Sequence, residues 1–157
     1  MTASTKLGTV AEDHDPGSRI HGIVMSVVFI IILPLGALLL RVWNVRVHII
    51  VQLIGWILFM MAFAGGIMAS MKYNKSRNFS SAHQVIGILL LIALLSQWVL
   101  GWMNHRTIKK MGHGTIMGKI HLYLGPVTIF FGWVNGSLGF RFAGTVYLIL
   151  PAPKNIH

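Results

Sequence analysis

The chain of 157 residues is 55% hydrophobic and 10% charged, with a mean hydropathy of +0.72, whereas a soluble domain carries about 25% charged residues. The absence of cysteine excludes disulfides, thiolate metal sites, iron–sulfur clusters and thioether-attached haem. The formal charge of +10 is spread in short clusters between apolar runs, where membrane proteins keep their basic residues, so a lipid bilayer and no nucleic acid is the expected surrounding.

Residues 1–18 are polar, hold all three acids (Glu12, Asp13, Asp15) and end near the Pro16-Gly17 breaker; they read as a solvated N-terminal tail. The first apolar run, Ile20 to Leu40, is long enough to cross a hydrocarbon core of about 30 Å at about 1.5 Å per residue. Pro34 lies inside it and predicts a kink. A short charged connection, Arg41 to Arg46, leads to a second run from Val47 to Met71. After a basic loop, Ser80 or Ser81 can cap a third helix running to about Met103. Asn104 to Gly114 reads as a loop, and a fourth run covers Ile116 to Phe140. Beyond Arg141 only Thr145 to Leu150 is apolar, too short to span. The expectation is an all-α membrane protein, an up-down-up-down bundle of four transmembrane helices, with residues 19–144 as the membrane domain and 145–157 as a short C-terminal tail.

Four histidines stand at the starts of the four runs: His21, His48, His83 and His121. Antiparallel helices alternate direction, so His21 can face His83 at one membrane surface and His48 can face His121 at the other. A lone intramembrane histidine is more often a packing residue than a ligand. One histidine per helix, always at the start and never mid-span, is instead what two bis-histidine haems require. The layers would lie roughly 25–30 Å apart at most, from about twenty residues of helix. His14, His105, His113 and His157 fall in loops or tails and read as surface residues; His105 and His113 flank a basic loop and could reach a haem propionate.

Glycines recur at offsets that return near the ligand's own helix face. Gly55, Gly87 and Gly125 follow His48, His83 and His121 by seven, four and four residues, and Gly66, Gly101 and Gly139 follow the same three by eighteen. The near set would make room for the porphyrin bound by that helix, and the far set would face the haem at the opposite end; close helix packing is the alternative. Arg41, Arg46, Arg106 and Lys119 gather at the His48/His121 end and are candidate contacts for a propionate or an anionic reductant, although snorkelling is the ordinary role of such residues. Trp43, Trp56, Trp98, Trp102 and Trp133 read as interfacial anchors or lipid-facing packing. With no acid after Asp15, carboxylate acid–base chemistry inside the bundle is excluded.

These residues carry a resemblance to the eukaryotic cytochrome b561 family, closest to the membrane part of its DOMON-linked, fungal-type members. The matching stretches are Arg19-Ile-His21-Gly22, Ile32 to Arg41, Val47-His48 with Gln52 to Gly55, His83 to Gly87, Gly101 to His105, Gly118 to His121 and Asn135 to Gly139. The resemblance implies two haems b, held by His21 with His83 and by His48 with His121. It also implies transmembrane electron transfer from ascorbate or an attached extracytoplasmic haem domain to ferric iron or monodehydroascorbate, an ascorbate-dependent or ferric reductase activity. Family members usually carry a further helix that this bundle is expected to lack, and DOMON-linked ones a haem domain where about eighteen polar residues stand here. Two other functions remain open: a haem-free assembly or transport subunit, and the cytochrome subunit of a larger oxidoreductase. A homodimer is also open. The basic residues divide almost evenly between the two ends, so the charge rule does not orient the chain. The resemblance places the N-terminus outside the cytoplasm, in a plasma membrane or an endomembrane.

Overall fold

A computed structural model describes residues 16–72 and 76–142. It is an all-α membrane bundle of four helices: α1 (Pro16–Val42), α2 (Val45–Lys72), α3 (Ala82–Met111) and α4 (Ile116–Phe142). The first three are long and apolar enough to cross a membrane by length and composition. The fourth matches them in length and lies along α3 from end to end, hydrogen-bonded to it at His121–Gln97 and at His83–Asn135. Outward-facing Ile23, Ile30, Leu38, Ile88, Ile92 and Phe130 are exposed, a surface suited to lipid rather than water.

Local chemistry sets the helix ends. Pro16 opens α1, where a missing N–H costs nothing, so the helix begins inside the stretch expected to be tail. The remaining tail residues, 1–15 and 145–157, lie outside the described residues, as do residues 143 and 144 of the expected membrane domain, and His14 and His157 with them. Asn44 caps α2, its Oδ1 accepting from the backbone N–H groups of Arg46 and Val47 at 3.0 and 3.1 Å. Ser81 and Gln84 form a capping box at the start of α3. That helix runs on through Asn104 to Met111, the segment expected to be a loop, and stops at Gly112, which takes the left-handed conformation (φ 74°) that favours glycine. His105, Arg106, Lys109 and Lys110 therefore stand on a helical extension. Their charge reads as a loop because a membrane helix ends where its apolar run ends, but the hydrogen-bond ladder needs no apolar residues to continue in a polar medium.

Pro34 acts one turn upstream of itself. Val28–Ile32 form a π-turn, closed by the Leu33 N–H on the Val28 carbonyl, five residues back. In that register the Phe29 carbonyl would pair with the N–H of residue 34, which proline lacks. The indole N–H of Trp133 on α4 donates to it instead, at 2.8 Å. Trp133 thus ties α4 to α1 at mid-span rather than anchoring an interface.

The bundle is two hairpins, α1–α2 and α3–α4, with close backbone packing inside each. Between them α1 approaches α4, while α2 and α3 meet through side chains, including Trp56 against Trp98 with ring centres 6.2 Å apart. Those two tryptophans face each other within the bundle, contrary to the expected lipid-facing role. A mid-span core of Val28, Phe29, Leu33, Phe59, Leu90 and Leu94 closes the centre. The Phe29 ring lies so close to Gly132 that a Cβ there would overlap it. Gly132→Ala should therefore destabilise the folded protein by about 1–3 kcal/mol through overpacking. Gly136→Ala, one turn on with nothing within 4 Å, should be near neutral; unfolding in detergent, followed by circular dichroism, measures both.

Candidate functional site

The fold brings the four ligand candidates together in two pairs. His21 and His83 stand with ring centres 6.0 Å apart and planes at 83°, and His48 and His121 at 6.3 Å and 90°. An imidazole nitrogen binds a first-row metal at about 2 Å, so two imidazoles on opposite sides of one metal set their ring centres about 6 Å apart. Each pair joins the two hairpins: one ring comes from α1–α2 and the other from α3–α4.

All four rings are held in one way. His21 Nδ1 lies 2.7 Å from the Ala62 carbonyl, His48 Nδ1 2.7 Å from that of Gly36, His83 Nδ1 3.0 Å from that of Asn135, and His121 Nδ1 3.1 Å from that of Gln97. A carbonyl only accepts, so Nδ1 is the donor and the neutral ring keeps its lone pair on Nε2. Among the described residues no hydrogen bond reaches the Nε2 of any of the four. The bonds are reciprocal within each hairpin: α1 and α2 exchange one in each direction, and so do α3 and α4.

A repeat underlies this arrangement. On α2, α3 and α4 the carbonyl that holds the opposite ligand belongs to the fourteenth residue after that helix's own histidine: Ala62, Gln97 and Asn135. Fourteen residues of helix span about 21 Å and return close to the starting face. On α1 the offset from His21 to Gly36 is fifteen, and the π-turn lies between them. The wide turn takes up the extra residue.

Amide side chains brace the rings' supports. Gln52 donates to the Leu33 carbonyl at 3.1 Å, and Gln97 donates to the His121 carbonyl at 3.2 Å. At the other end buried Gln84 donates to Ser70 Oγ and to the Ser76 carbonyl at 3.1 and 2.7 Å, and Phe142 stacks on His83. Asn104, Thr115 and Gly118 close the α3–α4 turn beside the His48/His121 layer. Sequence reasoning missed the four carbonyls, because a backbone acceptor has no residue signature. Three of them leave an indirect mark, the glycine four residues later.

The far glycines lie at the opposite ligand layer, as their spacing suggests, but the neighbour is the ligand ring. A Cβ on Gly66 would sit 2.7 Å from the His21 ring, on Gly139 2.8 Å from that of His83, and on Gly101 3.0 Å from that of His121. Of the near glycines, Gly55 packs on Ile32 and Leu33, while a Cβ on Gly87 or Gly125 would meet only the amide of Asn135 at 3.6 Å or of Gln97 at 3.9 Å.

Arg41, Arg46, Arg106 and Lys119 are exposed at the His48/His121 end. Arg106 lies over the Trp102 ring at 4.3 Å. Among the described residues none has a carboxylate partner, because residues 16–142 contain no Asp or Glu. His105 and His113 are exposed, and His113 Nδ1 meets only the adjacent Gly114 carbonyl at 3.3 Å.

Among the described residues no three ligating side chains converge. A bare ion would therefore find two protein donors at either layer. The donor set suits a metal that brings its own equatorial ligands, as haem iron does, and leaves two axial positions for imidazole. The fold and the paired imidazoles thus define a four-helix membrane bundle with two facing-histidine centres.

Residues 2–106 match the family described as a domain of unknown function, DUF2427, and the chain belongs to that family. It is also 31% identical over 129 residues to a protein of Arabidopsis thaliana named as a cytochrome b561 and DOMON domain-containing protein. That alignment takes in 78% of this chain and 31% of the relative, so the chain spans about a third of that relative's length. No solved structure matches.

Proposed function

We propose that the chain is a transmembrane electron-transfer cytochrome of the b561 type that holds two haems b, one between His21 and His83 and one between His48 and His121. The observation that carries this reading is the pairing at about 6 Å, with every Nδ1 tied to a carbonyl and every Nε2 left as a donor. Bound haem would supply one-electron chemistry at six-coordinate iron. The protein's part is to fix the rings and their tautomer through the Nδ1–H···O=C bonds, and to keep water away with the mid-span core.

The DOMON domain in the named relative is in keeping with an attached extracytoplasmic haem domain as donor; ascorbate as the alternative donor, and ferric iron or monodehydroascorbate as acceptor, follow from the family resemblance alone and would make the protein a reductase. Ascorbate would give up one electron, release a proton to the solvent and leave as monodehydroascorbate; ferric iron would take one electron and become ferrous. The DOMON domain in that relative's name favours one second reading, the cytochrome subunit of a larger oxidoreductase. The N-terminus then faces away from the cytoplasm, and residues 19–144 form the haem-binding unit.

Quantitation on purified protein should return two noncovalent haems b per chain, and a reduced-minus-oxidised spectrum should report both; one haem or none from well-folded protein overturns the reading. Crosswise pairing gives a second expectation. His21→Ala and His83→Ala should each remove the same haem, and His48→Ala and His121→Ala the other. Equivalence of His21→Ala with His48→Ala would break it. Reduction by ascorbate alone separates the self-sufficient reductase from the subunit.

The exposed cations at the His48/His121 end bear on the reductant. They are suited to attract an anion or to meet a propionate, each pairing being weak at such exposure. Neutralising Arg41, Arg46 and Lys119 together should slow reduction by ascorbate and flatten its salt dependence while haem content holds. An uncharged reductant should be little affected; stopped-flow reduction with both reductants is the comparison.

A further inference from the structure

Resting on the haem-binding reading, we infer that Gly66, Gly101 and Gly139 are positioning residues, each fixing the rotation of a histidine that belongs to the neighbouring helix and reaches across to it. The argument is geometric. At three of the four ligands the ring sits on a carbonyl of the neighbouring helix and beside the glycine one turn further on: Ala62 and Gly66 for His21, Gln97 and Gly101 for His121, Asn135 and Gly139 for His83. A Cα–Cβ bond tilts toward the helix N-terminus, so a side chain at the later position would lean over the carbonyl of the earlier one. Glycine there uncovers a carbonyl already used within its own helix and lets an imidazole reach it.

The ring cannot easily move aside. One nitrogen is tied to the carbonyl, as close as 2.7 Å for His21, and the other would be tied to iron. What would remain is rotation of the ring about the direction of its Nε2 lone pair, which sets the angle between the two imidazole planes, 83° at one layer and 90° at the other. A methyl group at Gly66 would press on both Cε1 and Nδ1 of His21 at 2.7 Å, so it must turn the ring or lengthen the anchoring bond. The fourth ligand is built differently. Four residues after Gly36 stands Leu40, and a Cβ on Gly36 would meet the Gln52 side chain rather than His48.

The low-spin ferric EPR spectrum tests this, because its largest g value follows the angle between the axial imidazole planes. Full-length protein in detergent is compared for Gly66→Ala, Gly139→Ala and Gly101→Ala, with Gly65→Ala and Gly136→Ala as controls that have open space. His21→Ala and His48→Ala assign the two signals. Gly66→Ala and Gly139→Ala should shift the signal of the His21/His83 haem, and Gly101→Ala, with the widest of the three contacts, should shift the other by less. Haem content should hold at the wild-type value, and the controls should leave both signals in place. Unchanged signals in all three variants, or equal shifts in the controls, would overturn the inference while leaving haem binding intact; wild-type protein without haem would instead remove the reading on which it rests. Should the glycine variants fail to accumulate, each is paired with the ligand it crowds. Recovery of His21→Ala/Gly66→Ala to the level of His21→Ala identifies the ring as what the methyl group strikes. Failure of that pair too assigns the glycine to helix packing and overturns the inference.

Discussion

A hydrogen bond from an imidazole Nδ1 to a backbone carbonyl on the neighbouring helix is the interaction from which the rest of this bundle follows. It does three things at once. It selects the tautomer, so that Nε2 is left as a donor. It ties each helix to its hairpin partner at both ends. It also turns the free nitrogen toward the other hairpin, since the carbonyl occupies the near side. Such a bond needs the helices to approach closely, and the small residues Gly36, Ala62, Gly66, Gly101 and Gly139 at these crossings permit that. The hairpins are thus the rigid units, and the facing imidazoles lie where the two units meet.

Two layers built this way must stay in register over four helical turns. Three helices achieve it with fourteen residues between histidine and carbonyl. The first has fifteen and contains the π-turn at Val28–Ile32. A single wide turn absorbs one residue without breaking the helix, and π-turns commonly occur at functional sites. Its cost is a carbonyl without a helical partner at Phe29, and Trp133 on α4 meets that cost while joining the hairpins. Proline, π-turn and tryptophan act as one unit here, although they are far apart in sequence.

Much of this was legible in the sequence. Four apolar runs with short connections dictate alternation, and alternation alone pairs His21 with His83 and His48 with His121. The eighteen-residue glycine offset pointed correctly to the opposite layer, but spacing carries no information about which neighbour comes nearest, and among protein atoms that neighbour is the ligand ring. The anchoring carbonyls were illegible because any residue supplies one. Trp56 and Trp98 were read as outward-facing because an indole's preference for an interface is a tendency of composition, while here each ring's partner sits on another helix; Trp133 is half exposed as expected, and only its hydrogen bond to α1 was hidden. The helical extension to Met111 was hidden by its charges for the opposite reason: side chains decide where a helix leaves lipid, not where its backbone ladder stops.

The lack of any carboxylate between Pro16 and Phe142 bears on energy conversion. Carboxylates are common carriers of protons through membrane proteins, and this span offers none to accompany a moving electron. An electron crossing under the proposed function with no carboxylate of this span to carry a proton beside it would feel the membrane voltage, about 2.3 kcal/mol for each 100 mV. A membrane that is negative on the cytoplasmic side would push electrons outward. The direction of flow would then depend on the electrical state of the membrane as well as on the redox partners at its two faces.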